Sequence, residues 1–167
     1  MGRRVYESGE FVWKYVFGVQ PSEQYRIAKE FGIGSLTYDV ARVLLDKNGN
    51  VILDEYGDEA YENVELTEEE YENEDCFACG DILHLTSNDI SKLINIYETM
   101  PNYKKAKELE TKMWEGNEHG ISFSDFESGN KKIFKICPDY YFARMVEQFV
   151  EYMEYNPKDH YYFEGEM

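Results

Sequence analysis

The sequence predicts an α+β fold: one compact domain built on an antiparallel, hairpin-rich sheet with about four to five helices. Three observations carry this. Strand-like and helix-like patterns alternate irregularly, with no βαβ unit and no internal repeat. Ser8-Gly9 and Asn48-Gly49 each sit between β-rich runs, the second being a strong hairpin signal. The 167 residues are 43% hydrophobic and include 10 Phe, 15 Tyr and 2 Trp, enough apolar material to bury a core without covalent staples.

Taken in order, RRVYESGEFVWKYVF predicts two strands, the second with Phe11, Trp13, Tyr15 and Phe17 on one face. PSEQYRIAKEFG predicts a helix over about 21–31, opened by Pro21 and stopped by Gly32. Strands follow near 36–46 and 50–55, around Asn48-Gly49. Thr67-x-x-Glu70 is a capping box and predicts a brief acidic helix over about 68–74. DILHLTS reads as a strand. Ser87 or Asn88 then caps a helix bearing Ile90, Leu93, Ile94 and Tyr97, Pro101 ends it, and NYKKAKELETKMW forms a second. ISFSDFESGNKKIFKIC reads as a hairpin turning at Gly129-Asn130. Pro138 opens a final helix with Phe142, Met145, Val146, Phe149 and Met153 on its core face. The expected organisation is a domain over 1–155 with an acidic edge segment at 54–81, followed by an acidic, aromatic tail at 156–167.

The charge is the unusual feature. The net charge is −17, and it is local. Residues 48–91 hold fourteen Asp and Glu and no Lys or Arg; residues 1–47 and 92–137 are each near neutral, and 138–167 carry −5. Such a field repels phosphate backbones and anionic lipid, which argues against direct nucleic-acid or membrane binding. It steers basic partners inward instead.

Tyr56, Tyr61 and Tyr71 recur among these carboxylates, and tyrosine is an interface residue. The leading expectation is therefore a non-enzymatic binding or inhibitor protein of the nucleic-acid-mimic kind. Its carboxylates would fill the basic groove of a nuclease or nucleic-acid-binding complex, as in counter-defence or toxin-immunity settings. The partner-facing residues on this reading are Glu55, Asp58, Glu59, Tyr61, Glu62, Glu68, Glu69, Glu70, Tyr71 and Glu72. The alternative is a small-ligand binder or enzyme with a pocket at the aromatic N-terminal sheet, formed by Trp13, Lys14, Tyr15 and Arg26. A third reading is a scaffold whose aromatic residues seal a homodimer.

Motifs for specific chemistry fall short. Asp46, Asn48 and Asn50 match the start of an EF-hand loop, but Val51 stands where the turn glycine belongs and Gly57 where the last carboxylate belongs. Cys76 and Cys79 have the spacing of half a zinc site; His84 and Cys137 are the weak candidates to complete it. Neighbouring Glu74, Asp75 and Asp81 oppose a reactive thiolate. No phosphate-binding glycine loop, nucleophile elbow or local His-nucleophile pairing occurs, so no cofactor and no catalytic residue is assigned. Three cysteines, an N-terminus that turns charged before an apolar run can build, and the lack of a long apolar stretch predict a reducing, cytoplasmic setting.

Overall fold

The computed structural model describes residues 4–14, 23–74, 78–117 and 119–166. The expected α+β class is what the structure shows, with one six-stranded antiparallel sheet and six α-helices among those residues. The chain divides into two compact units: residues 1–87 with 157–167, and residues 88–156.

The first unit is the sheet. β1 (Arg4–Glu7) and β2 (Glu10–Lys14) are the expected hairpin, turning through Ser8 and Gly9, both at positive φ. β3 (Ser35–Val43), β4 (Tyr61–Thr67), β5 (Ala78–Thr86) and β6 (His160–Glu166) complete the order β2-β1-β6-β5-β3-β4. The registers place Val5, Leu83, Leu85, Tyr161 and Phe163 on one face, where all are buried. Tyr6, His84, Tyr162 and Glu164 lie on the other face, which is more open. The period-2 alternation of each strand thus feeds a one-sided core. α1 (Tyr25–Lys29) contributes buried Ile27, and α2 (Glu68–Glu72) is the predicted acidic helix. Its capping box forms as the sequence predicts: the Thr67 side chain accepts from the Glu70 N–H, and the Glu70 carboxylate accepts from the Thr67 N–H at 2.9 Å.

Three segments differ from the sequence reading. The stretch near 50–55 forms only isolated bridges, Leu45 with Val51 and Leu53 with Glu59; the next strand after β3 that pairs with it is β4, beginning at Tyr61. Residues 160–166, placed above in the C-terminal tail, supply β6 between β1 and β5. The hairpin at Gly129-Asn130 is instead the middle of a helix, described next.

The second unit is helical: α3 (Ile90–Glu98), α4 (Tyr103–Trp114), α5 (Phe123–Ile136) and α6 (Tyr140–Tyr155). α5 replaces the expected hairpin because Ser122 caps it on the Asp125 N–H and Phe126 and Ile133, seven apart, share its buried face. Gly129 is needed there for packing. A Cβ on it would lie 2.3 Å from the Met113 sulfur of α4, so the missing side chain allows α4 and α5 to approach. The core of this unit joins Tyr103, Ala106, Ile133, Cys137, Tyr140 and Ala143. Beside it, Glu147 accepts from Tyr103 Oη at 2.6 Å, Lys107 Nζ at 2.7 Å and Arg144 Nη1 at 2.9 Å. No helix among the described residues is long and apolar enough to cross a membrane.

Candidate functional site

The acidic segment is built as an arm. Between β3 and β4 the chain runs through two turns of the same construction, Asp46-Lys-Asn-Gly-Asn50 and Asp54-Glu-Tyr-Gly-Asp58. In the first, Asp46 Oδ1 accepts from the N–H groups of Asn48 (2.7 Å) and Asn50 (2.9 Å). In the second, Asp54 Oδ1 accepts from Tyr56 (2.8 Å) and Asp58 (3.0 Å). Gly49 and Gly57 supply the positive φ, 84° and 87°, that each turn requires. These bonds explain why Asp46 is held below the usual carboxylate range, with the Asn50 side chain the main cause. They also employ the aspartate as a turn organiser.

Three residues spaced eight apart lock the arm together. The Ile52 N–H donates to the Leu44 carbonyl at 2.9 Å, the Ala60 N–H to Ile52 at 2.9 Å, and the Leu44 N–H to Ala60 at 2.8 Å. The ring closes the two turns back on the start of β4. The D-x-x-G pair at eight-residue spacing is the signal in the sequence that could have announced it.

With so few residues, the arm has no interior. Leu45 (57% exposed), Val51, Ile52, Leu53 (58%) and Tyr56 (82%) all face solvent. Around them stand Asp46, Asp54, Glu55, Asp58 and Glu59. Tyr61 is exposed as well and donates its hydroxyl to Glu59 at 2.8 Å, which raises its pKa above that of an ordinary tyrosine. The arm thus presents an apolar ridge set among carboxylates.

The other expected partner-facing residues are distributed unevenly. Glu62 lies on β4 opposite Arg42 in the register. Glu68 pairs with Lys29 at 2.7 Å and holds that ammonium above its usual pKa. Glu70 is used by the capping box, and its Thr67 bonds hold it low. Tyr71 is half-buried and stacks on Tyr38 at 4.4 Å between centroids, so its ring serves packing. Glu55, Asp58, Glu62, Glu69 and Glu72 are exposed and have no ion-pair partner among the described residues. α2 and β4 also flank a groove of 560 Å³, lined by Arg42, Val64, Glu65, Leu66, Glu69, Glu70, Asn73 and Glu74.

For the alternative ligand site, Trp13 is buried beside Val5 in the β1–β2 register. Arg26 is engaged by Glu23 and Glu30. Tyr15 and the Lys14 side chain lie outside the described residues. Among the cysteines, Cys79 is exposed on β5, Cys137 is buried in the helical unit, and Cys76 lies outside the described residues. Burial and Asp139 push the Cys137 thiol up. His84 bonds His160 (Nε2 to Nδ1, 3.0 Å) and stacks on Tyr162. No cluster of three or more His, Cys, Asp or Glu able to hold a metal occurs among the described residues.

One buried polar pair was not anticipated from sequence. Gln24, just before α1, donates its side-chain amide to Asp81 on β5, and both are buried. Desolvation pushes the Asp81 carboxyl up to about 6, against an opposing pull from Lys29. The Gln24 Oε1 atom is buried without a hydrogen-bond partner. The pair sits over Gly165, where a Cβ would fall 1.6 Å from Gln24 Nε2 and 2.6 Å from Asp81 Oδ1.

No family model, curated protein or solved structure matches this chain.

Proposed function

We propose that the protein is a non-enzymatic acidic binding protein whose segment 44–72 occupies a basic, nucleic-acid-binding site on a protein partner. The observation that carries this reading is the arm: five large apolar side chains held in solvent among carboxylates, four of them on the stretch between Lys47 and Lys92 that holds no basic residue. The apolar ridge supplies contact area that excludes water, and the surrounding charge supplies steering and register. Carboxylates would stand where phosphates ordinarily lie, which is the logic of nucleic-acid mimicry in counter-defence and toxin-immunity proteins.

The test is capture of basic proteins from host extract at low and high salt, by the native protein and by the Glu55→Lys, Asp58→Lys, Glu62→Lys variant. Those three side chains perform no turn or capping role here, so the variant keeps its fold. The expected result is a basic protein retained at low salt, released by added salt or by double-stranded DNA, and lost with the variant. Capture that survives charge reversal refutes the reading.

A further inference from the structure

β4 closes one end of the sheet, and among the described residues nothing pairs with its outer side. The parity of its backbone bonds can be worked out. The Leu44 N–H donates to the Ala60 carbonyl, and the β3–β4 register runs on from Val43–Tyr61 to Thr37–Thr67 without a bulge. In an antiparallel ladder, pairs that exchange backbone bonds alternate with pairs that do not. Residues 62, 64 and 66 therefore bond β3, and residues 61, 63, 65 and 67 turn their N–H and C=O groups outward. The Thr67 N–H is the check: it points away from β3 and is taken by the Glu70 carboxylate. Asn63 and Glu65 keep a fully outward-facing edge, directly beside the groove under α2.

We infer that this edge is a peptide-binding site that accepts an extended basic segment of the protein partner as a seventh strand. The inference rests on the function proposed above and says how the partner is held. Strand addition derives affinity from main-chain bonds and specificity from alternating side chains. Here Val64 and Leu66 supply an apolar floor, while Glu69, Glu70 and Glu74 outnumber the single Arg42, which Glu74 engages. A strand with Lys or Arg at every second position would direct those cations at the α2 carboxylates. The same carboxylates disfavour a second copy of this chain, because two acidic β4 edges repel each other.

The test uses the full chain, isotopically labelled, titrated with a ten-residue peptide alternating Lys and Thr. Two further peptides carry backbone N-methyl groups at the odd or at the even positions, which keeps the charge and removes main-chain donors. The expected result is saturable shifts at the Asn63 and Glu65 amides and at least tenfold weaker binding by one methylated peptide. Asn63→Pro is the matching change on the protein. It deletes one outward donor, spares the β3 ladder and leaves every carboxylate in place, and it should weaken binding at least tenfold while the protein stays folded. The inference is overturned if all three peptides bind equally, or if the same amides shift with protein concentration alone, which would mark a homodimer. Loss of partner capture on arm charge reversal, together with equal binding of the three peptides, ends this inference and leaves the proposed function standing. Unequal peptide binding at β4 with partner capture unaffected by arm charge reversal ends the proposed function instead.

Discussion

Replacing Asp81 by Asn should stabilise the sheet unit near neutral pH, and the gain should shrink on acidification. Asp81 titrates in the fold at about 6 against an ordinary value of 3.8, chiefly because it is desolvated. The folded state therefore holds the proton more tightly than the unfolded chain does. Between those two values folding takes up a proton, and stability falls as pH rises; above about 6 the penalty is fully present. At about 1.4 kcal/mol per pH unit, ionised Asp81 costs the fold about 3 kcal/mol near pH 7.5, falling to about 1 kcal/mol near pH 4.5. Asn has the shape of the neutral acid and adds a donor beside the unpartnered Gln24 Oε1, so it removes the penalty and can satisfy the orphan. The assay is urea unfolding of D81N and its parent at both pH values. Trp114→Phe in both leaves Trp13 of β2 as the fluorescent reporter. Comparing the two proteins at each pH cancels the other titrating groups. An advantage equal at the two pH values, or a loss of stability near pH 7.5, would refute the argument.

Gly165→Ala should destabilise the same region by about 3 kcal/mol or more, because the new methyl has no room beside Gln24. Adding Gln24→Ala should recover part of that loss, a coupling that a double-mutant cycle reads directly. In the helical unit, burial opposes ionisation of Glu147, but Lys107, Tyr103 and Arg144 outweigh it and hold the carboxyl low. Its stabilisation is present above the ordinary value of 4.5 and is lost as pH falls through the lower folded value. Glu147→Gln should thus cost about 1–3 kcal/mol near pH 7 and progressively less in acid, measured by thermal unfolding.

What could be read in advance was local. The Ser8-Gly9 turn, the Asn48-Gly49 turn and the Thr67 capping box are each decided by a few neighbouring residues, and each is found in the structure. β4 was missed because its alternation rests on Val64 and Leu66 alone within a run of acids. β6 was missed because its position between β1 and β5 is settled by partners more than seventy residues away in sequence. Gly129-Asn130 looked like a turn because glycine is ambiguous in sequence. Its reason for being there, the Met113 sulfur on a neighbouring helix, is a tertiary fact. The candidate site was legible as a charge anomaly and not as a shape. Composition located the carboxylates, whereas the exposure of Leu45, Val51 and Leu53 follows from an arm too small to enclose them.

The sheet order also governs how the molecule comes into being. β1 and β2 reach the other strands only through β6, the last described element in the chain, with all four helices of the second unit made in between. Until residues 160–166 fold back, the growing polypeptide holds two incomplete sheets with the raw edges of β1 and β5 open to any competing strand. Bringing those parts together is a loop closure of long range, which slows folding and prolongs the vulnerable interval. A chain ending before residue 160 would lack β6 and leave both of those edges open.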